Sequence, residues 1–290
     1  MTVFLNGKYS PRDEATVSVD DRGFLFGDGV YEVITAYRGR PFRLNAHLER
    51  LRYGLAALRI NSVDPEMFRQ VGRKLLADNE LTGSDCTLYI QVTRGVAPRL
   101  HSFPPENTQP TVYMSVTPLS AGARSPDKTI TAILIPDFRW SRCDIKSVSL
   151  VANVLARQRA IDAGVKEAIL VRDGVALEGT FTSLFAVFRN EVVTNPNSNY
   201  ILHGVTRDVV LELCKAQGIT CRETPIFEQE IRQAQEVFVT STSMEIVPVI
   251  ELDGKPVADG KPGRLTKRLQ AAFQDVITSF LEQPDDSWEK

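Results

Sequence analysis

A lysine, a glutamate and small hydroxyl-bearing runs are the groups in this 290-residue chain best suited to chemistry. Lys146 lies in Arg142-Cys143-Asp144-Ile145-Lys146-Ser147, ahead of a helical pattern. A lysine in a semi-buried site loses its proton and forms a Schiff base with an aldehyde, whereas one on an open surface is only a solvated charge. Glu178 follows a hairpin strand and precedes Gly179. It reads either as a surface acid at a turn or as an anchor that keeps a pyridinium nitrogen protonated. Gly204-Val205-Thr206-Arg207-Asp208 opens a helix. Unbonded N–H groups and the dipole at a helix start attract an anion, and a glycine lets it approach the backbone. Thr206 on its own also reads as a plain N-cap. Ser241-Thr242-Ser243 adds hydroxyl and amide donors at a strand end. Arg99 and His101, in Val96-Ala97-Pro98-Arg99-Leu100-His101, are either stray polar groups in a loop or a clamp for a carboxylate.

Other chemistries find no support. Gly27-Asp28-Gly29 leads into a β-rich run and not a helix, which removes a dinucleotide fingerprint. No HExxH, GxxxxGK[ST] or GxSxG pattern occurs. The four cysteines lack paired spacing, so neither a metal site nor a disulfide framework is expected. With 34 basic and 36 acidic residues the net charge is −2, and the arginines form no stripe; nucleic acid is not an expected partner. The N-terminus shows no signal-peptide pattern and no run approaches the roughly 18 apolar residues of a membrane span, so a cytoplasmic protein is expected.

The elements that must hold these groups show in the pattern. Asn6-Gly7 and Asp173-Gly174 predict hairpins. Strands are expected at 30–37, 86–93, 111–116, 129–135, 168–172, 175–177, 184–188, 192–193, 237–241 and 247–252. Asn45 is expected to cap a helix whose Leu48, Leu51, Leu55 and Leu58 recur at three- and four-residue spacing. Asp64-Pro65-Glu66 starts another; further helices are expected at 148–163 and 206–217, each stopped by a glycine. A polar loop spans 94–109. Many strands with few helices indicate an α+β or mixed α/β fold. Two domains are expected: 1–117, a linker at 118–128, and 129–290.

The order of these motifs resembles that of the fold-type IV enzymes dependent on pyridoxal 5′-phosphate, which include branched-chain aminotransferases, D-amino acid aminotransferases and aminodeoxychorismate lyases. The matching stretches are Asp21-Arg22-Gly23, Phe26-Gly27-Asp28-Gly29-Val30-Tyr31-Glu32, His47-Leu48-Glu49-Arg50-Leu51, Asp144-Ile145-Lys146, Glu178-Gly179, Gly204-Val205-Thr206-Arg207 and Val239-Thr240-Ser241-Thr242. The resemblance implies a small N-terminal α/β domain, a larger β-barrel-like C-terminal domain, and a homodimer with shared sites. It implies that Lys146 carries the cofactor and Glu178 partners its ring nitrogen. It also implies that Arg50, Val205, Thr206, Ser241 and Thr242 hold the phosphate and that Leu202 packs on the ring.

Within the family, Gln91-Val92-Thr93-Arg94-Gly95 followed by Pro98-Arg99-Leu100-His101 looks like the D-amino acid aminotransferases. There, an Arg-x-His pair from the neighbouring subunit and a tyrosine trap the α-carboxylate. Carried over, these are Arg99, His101 and Tyr31. Transamination between a D-amino acid, such as D-alanine or D-glutamate, and a 2-keto acid, such as 2-oxoglutarate or pyruvate, is therefore expected. The alternatives are a branched-chain or (R)-amine transaminase, an aminodeoxychorismate-type lyase, and a non-catalytic scaffold. One departure stands out: after Glu178-Gly179 the family commonly has small residues and then Asn, where this chain has Thr180-Phe181-Thr182-Ser183.

Overall fold

Asn6 and Gly7 take positive φ, 49° and 85°, and turn the chain between β1 (Thr2–Leu5) and β2 (Lys8–Pro11). This left-handed backbone is what a two-residue hairpin loop requires. The computed structural model describes residues 1–60, 62–119 and 128–289. The chain divides into two compact units: Met1–Ser120 with Ile145–Leu150 and Leu281–Lys290, and Ala121–Asp144 with Val151–Phe280. Most of the expected linker, 120–127, lies outside the described residues.

The first unit is built on an antiparallel sheet ordered β2-β1-β6-β5-β3-β4, with β3 at Gly29–Tyr37, β4 at Arg40–Pro41, β5 at Cys86–Thr93 and β6 at Thr111–Pro118. Alternation divides its faces. Cys86, Leu88, Ile90 and Val92 of β5 enter the core with Val30, Ile34 and Ala36 of β3. Helices α2 (Leu44–Ala57) and α3 (Met67–Asp78) cover that face through Leu48, Leu51, Leu55, Phe68, Val71 and Leu75. A short helix, α1 (Arg22–Phe26), precedes β3 and was not legible in the sequence; Asp21 caps it by accepting from the Gly23 amide. Trp288 completes this core at 6% exposure, so close to Gly72 that a Cβ there would lie 2.7 Å from its ring.

The second unit contains β7 (Ile130–Pro136), β8 (Glu167–Arg172), β9 (Val175–Gly179), β10 (Ser183–Phe188), β11 (Glu191–Thr194), β12 (Cys221–Glu223), β13 (Glu236–Ser241), β14 (Glu245–Leu252) and β15 (Lys255–Pro256). Pairing runs β10-β13-β14-β7-β8-β9, and β9 returns to β10 through Glu178 opposite Ser183. The sheet therefore closes on itself as a barrel, as expected for this half. Helices α4 (Val151–Asp162), α5 (Val205–Ala216), α6 (Glu228–Ile231) and α7 (Arg264–Glu282) complete the elements. The Glu236 carboxylate accepts from the Leu265 and Thr266 amides at 2.9 and 2.7 Å, which satisfies the start of α7.

Several helix starts differ from expectation. Asn45 does not cap α2: Arg43, with φ 56°, is the cap residue, and the Asn45 amide oxygen accepts from Arg69. Helix α3 begins at Met67, with Asp64 accepting from the Glu66 amide ahead of it. Helix α4 begins at Val151 and not Val148, because the preceding stretch is used otherwise: Ser147 bridges Val30, and the Val148 amide donates to the Gly29 carbonyl. Thr206 is not an N-cap, since Gly204 holds that position in α5.

Candidate active site

Residues 145–148 lie along β3 like a short extra strand, and this places Lys146. The Tyr31 amide donates to the Lys146 carbonyl at 2.9 Å, and the half-buried lysine sets its amine 4.2 Å from the centre of the Tyr31 ring. Tyr31 stacks on Tyr89 at 5.8 Å, so the amine faces an aromatic wall. Burial pushes the Tyr89 hydroxyl up to about 12, which keeps it neutral. On the opposite face of β3, Glu32 is fully buried and takes a forked pair of bonds from Arg50, at 2.9 and 2.6 Å. His47 Nδ1 lies 3.2 Å from the same carboxylate. Burial alone would raise the Glu32 carboxyl; Arg50 and His47 outweigh it and hold Glu32 far below the usual range. The Arg50 guanidinium is thus fixed by an acid that occupies a core-facing position.

Arg99 and His101 are brought together. Both lie exposed on the loop after β5 and both rest on Phe26, at 5.3 Å and 5.6 Å from its ring centre.

In the second unit, Glu178 lies one residue before the end of β9, at the seam of the barrel. One oxygen accepts from Arg139 at 2.5 Å and the other from the Leu202 amide at 3.1 Å. Burial pushes this carboxyl up, and the Arg139 charge and bond only partly restore it. Each carboxylate oxygen retains acceptor capacity beyond the one bond it receives here. The start of α5 and the end of β13 meet around Ser183. That residue pairs with Thr240, and a Cβ on Gly204 would lie 2.5 Å from the Ser183 hydroxyl. Val205 and Thr206, the first two residues of α5, are both buried, and Ser241 ends β13 with Thr242 in the turn beyond. The Thr240 hydroxyl oxygen is buried with no bond among the described residues.

The unusual Thr180-Phe181-Thr182-Ser183 run is accounted for locally. The Thr180 and Thr182 hydroxyls donate to buried Glu167 at 2.6 and 2.9 Å, and Phe181 points outward, half exposed. Sequence reasoning assigned no role to Glu32, Arg139 or Glu167. Glu32 had a readable signal: an acid in phase with Val30, Ile34 and Ala36 needs a buried partner. Arg139 and Glu167 had none, because Glu178 lies 39 positions from Arg139, and Thr180 and Thr182 lie 13 and 15 from Glu167.

A family model described as amino-transferase class IV matches residues 29–252. The chain belongs to the class IV aminotransferases. It is 40% identical to the D-alanine aminotransferase of Bacillus licheniformis over 279 residues, 96% of this chain and 98% of that protein. It is 38% identical to that of Staphylococcus aureus (strain MW2) over the same shares. Among solved structures it is similar to the branched-chain amino acid aminotransferase of Escherichia coli, with a TM-score of 0.85 at 26% identity, covering 95% of this chain and 94% of that one. A T.th. branched-chain amino acid aminotransferase complexed with N-(5′-phosphopyridoxyl)-L-glutamate gives a TM-score of 0.84 at 25% identity, with 98% of this chain and 95% of that one covered. Class IV aminotransferases use pyridoxal 5′-phosphate, and each unit has groups of the kind that cofactor takes: in the first an amine against an aromatic wall, in the second a buried acid with spare acceptor capacity and a helix start near a hydroxyl with no bond among the described residues. Among the described residues, no group of three or more His, Cys, Asp or Glu is placed to hold a metal ion, and no helix is long and apolar enough to cross a membrane.

Proposed function

We propose that this class IV aminotransferase exchanges amino groups between D-amino acids and 2-keto acids, with its cofactor carried on Lys146. The observation that carries the reading is the likeness to D-alanine aminotransferases across 96% of the chain, at up to 40% identity. When bound, pyridoxal 5′-phosphate supplies an aldehyde that takes up the amino group and a pyridinium ring that withdraws electrons from the substrate α-carbon. Glu178 would hold the proton on the ring nitrogen, and Arg139 together with the Leu202 amide keeps that carboxylate oriented. The Val205 and Thr206 amides, the hydroxyls of Thr206, Ser241 and Thr242, and the Arg50 guanidinium would bind the phosphate. Leu202 would pack on the ring. Lys146 would carry the cofactor and would be the base that takes and returns the proton of the substrate α-carbon.

Tyr31, Arg99 and His101 bind the α-carboxylate, and fixing that end of the substrate decides which enantiomer turns its α-hydrogen toward Lys146. The pair Arg99 and His101 serves the neighbouring copy in a homodimer. Leu100, between the two, is 63% exposed, apolar surface of the kind that a partner covers. We place the enzyme in the cytoplasm, in keeping with its free cysteines. The similarity of fold to branched-chain enzymes supports a second reading, against which Arg99 and His101 weigh. A paired assay of D- and L-alanine with 2-oxoglutarate separates the two: turnover of the D-enantiomer is expected, and preference for L-alanine overturns the proposal. Lys146→Ala is expected to abolish turnover, and retained activity refutes its assignment.

A further inference from the structure

We infer that Phe26 and Arg22 are positioning residues that pre-order Arg99 and His101 for carboxylate binding, an inference that rests on the clamp reading above. The Phe26 ring is shared by three side chains: Arg99 at 5.3 Å, His101 at 5.6 Å and Arg22 at 4.8 Å from its centre. Leu100, the one residue between the clamp pair, gives its carbonyl to Arg22 Nη1 at 2.7 Å. Arg22 is itself buried and is held through Nε by Asp28 at 2.8 Å.

The same carboxylate receives Arg94 Nε at 2.7 Å and Nη2 at 2.9 Å, and Arg94 opens the loop. Burial would raise the Asp28 carboxyl, but the bonds from Arg94 and Arg22 prevail and keep it ionised below its ordinary value. One acid therefore fastens the loop both at its root and at its tip. Main-chain bonds add to this: the Arg22 amide donates to the Gly95 carbonyl at 2.9 Å, and the Ala97 amide to the Asp20 carbonyl at 3.3 Å.

The consequence follows from side-chain entropy. An arginine and a histidine on an exposed polar loop sample many rotamers, and binding a carboxylate must suppress them. An aromatic face that attracts the cation beforehand removes part of that penalty. The benefit falls on substrate affinity and leaves proton transfer at Lys146 unaffected.

The test uses the holoenzyme, with D-alanine as amino donor and 2-oxoglutarate as acceptor, and four variants: Phe26→Leu, Phe26→Tyr, Arg99→Ala and the double variant Phe26→Leu/Arg99→Ala. Phe26→Leu is expected to raise KM for D-alanine about tenfold while kcat stays within about twofold, and Phe26→Tyr to restore the wild-type KM. Phe26→Leu is expected to cost less in the Arg99→Ala background than in the wild type, since only His101 is then left for the ring to position. Amide hydrogen exchange in residues 96–103 is expected to quicken in Phe26→Leu. Unchanged exchange, or a raised KM for Arg99→Ala beside an unchanged one for Phe26→Leu, overturns the positioning role. A wild-type KM for Arg99→Ala overturns the clamp itself, and the inference with it.

Discussion

Removing the Arg139 guanidinium would leave the Glu178 carboxylate buried with one main-chain bond. The two side chains are each 7% exposed and meet at 2.5 Å, and Arg139 also forks onto Asp137 and reaches the Tyr200 carbonyl. With charge centres about 4 Å apart and an effective dielectric near 20, the attraction is about 4 kcal/mol. Deleting one member of a buried pair typically costs about 3–5 kcal/mol, because the survivor keeps its desolvation penalty. Arg139→Met retains most of the apolar stem, so the electrostatic loss dominates. Scanning calorimetry is expected to show the thermal midpoint of the second unit lowered by roughly 6–20 °C. Glu178→Gln removes the stranded charge, and the double variant is expected to recover about half of the loss. The same variant has a functional signature. Without Arg139 the Glu178 carboxyl rises further, and, given the role proposed for Glu178 at the ring nitrogen, pyridoxal 5′-phosphate is expected to bind more weakly in an absorbance titration. If the two substitutions are additive to within about 0.5 kcal/mol, the pair is not coupled and the account of Glu178 fails.

Acid should destabilise the first unit through Glu32 and His47. Burial drives the His47 imidazole below its ordinary 6.5 and Glu32 lies far below the carboxylate range, so the folded state binds fewer protons than the unfolded one. The stability from His47 is complete above about pH 6.5 and declines below it, and that from Glu32 declines at lower pH still. A urea midpoint for this unit that rises between pH 7.5 and 5 would refute the assignment. Thr180→Val and Thr182→Val each remove a donor from buried Glu167 and are expected to lower stability by about 1–3 kcal/mol. Denaturant midpoints equal to wild type for both would show that Glu167 is satisfied otherwise.

Local chemistry made the hairpins readable: Asn6-Gly7 and Asp173-Gly174 adopt the left-handed turns that their residue types favour. Helix starts were read less well, because main-chain partners distant in sequence override local caps. Val148 is drawn to Gly29, and Arg43 takes the cap position in place of Asn45. Alternation marked β9 and β10 individually, yet the pairing of Glu178 with Ser183 that closes the barrel is a register fact that periodicity does not carry. The candidate residues were visible as types in an order. What held them was not: Phe26 beneath Arg99 and His101, and Arg139 beside Glu178, are tertiary contacts with no spacing rule.

The core of the first unit is closed by Trp288, and Arg40 reaches the carbonyls of Leu281, Gln283 and Pro284. A nascent chain emerging from the ribosome therefore exposes the sheet and both covering helices long before the indole that seals them is synthesised. The N-terminal third thus gains the last piece of its core only after residue 288 has been made, so its packing is completed at the end of synthesis and not as its own residues emerge.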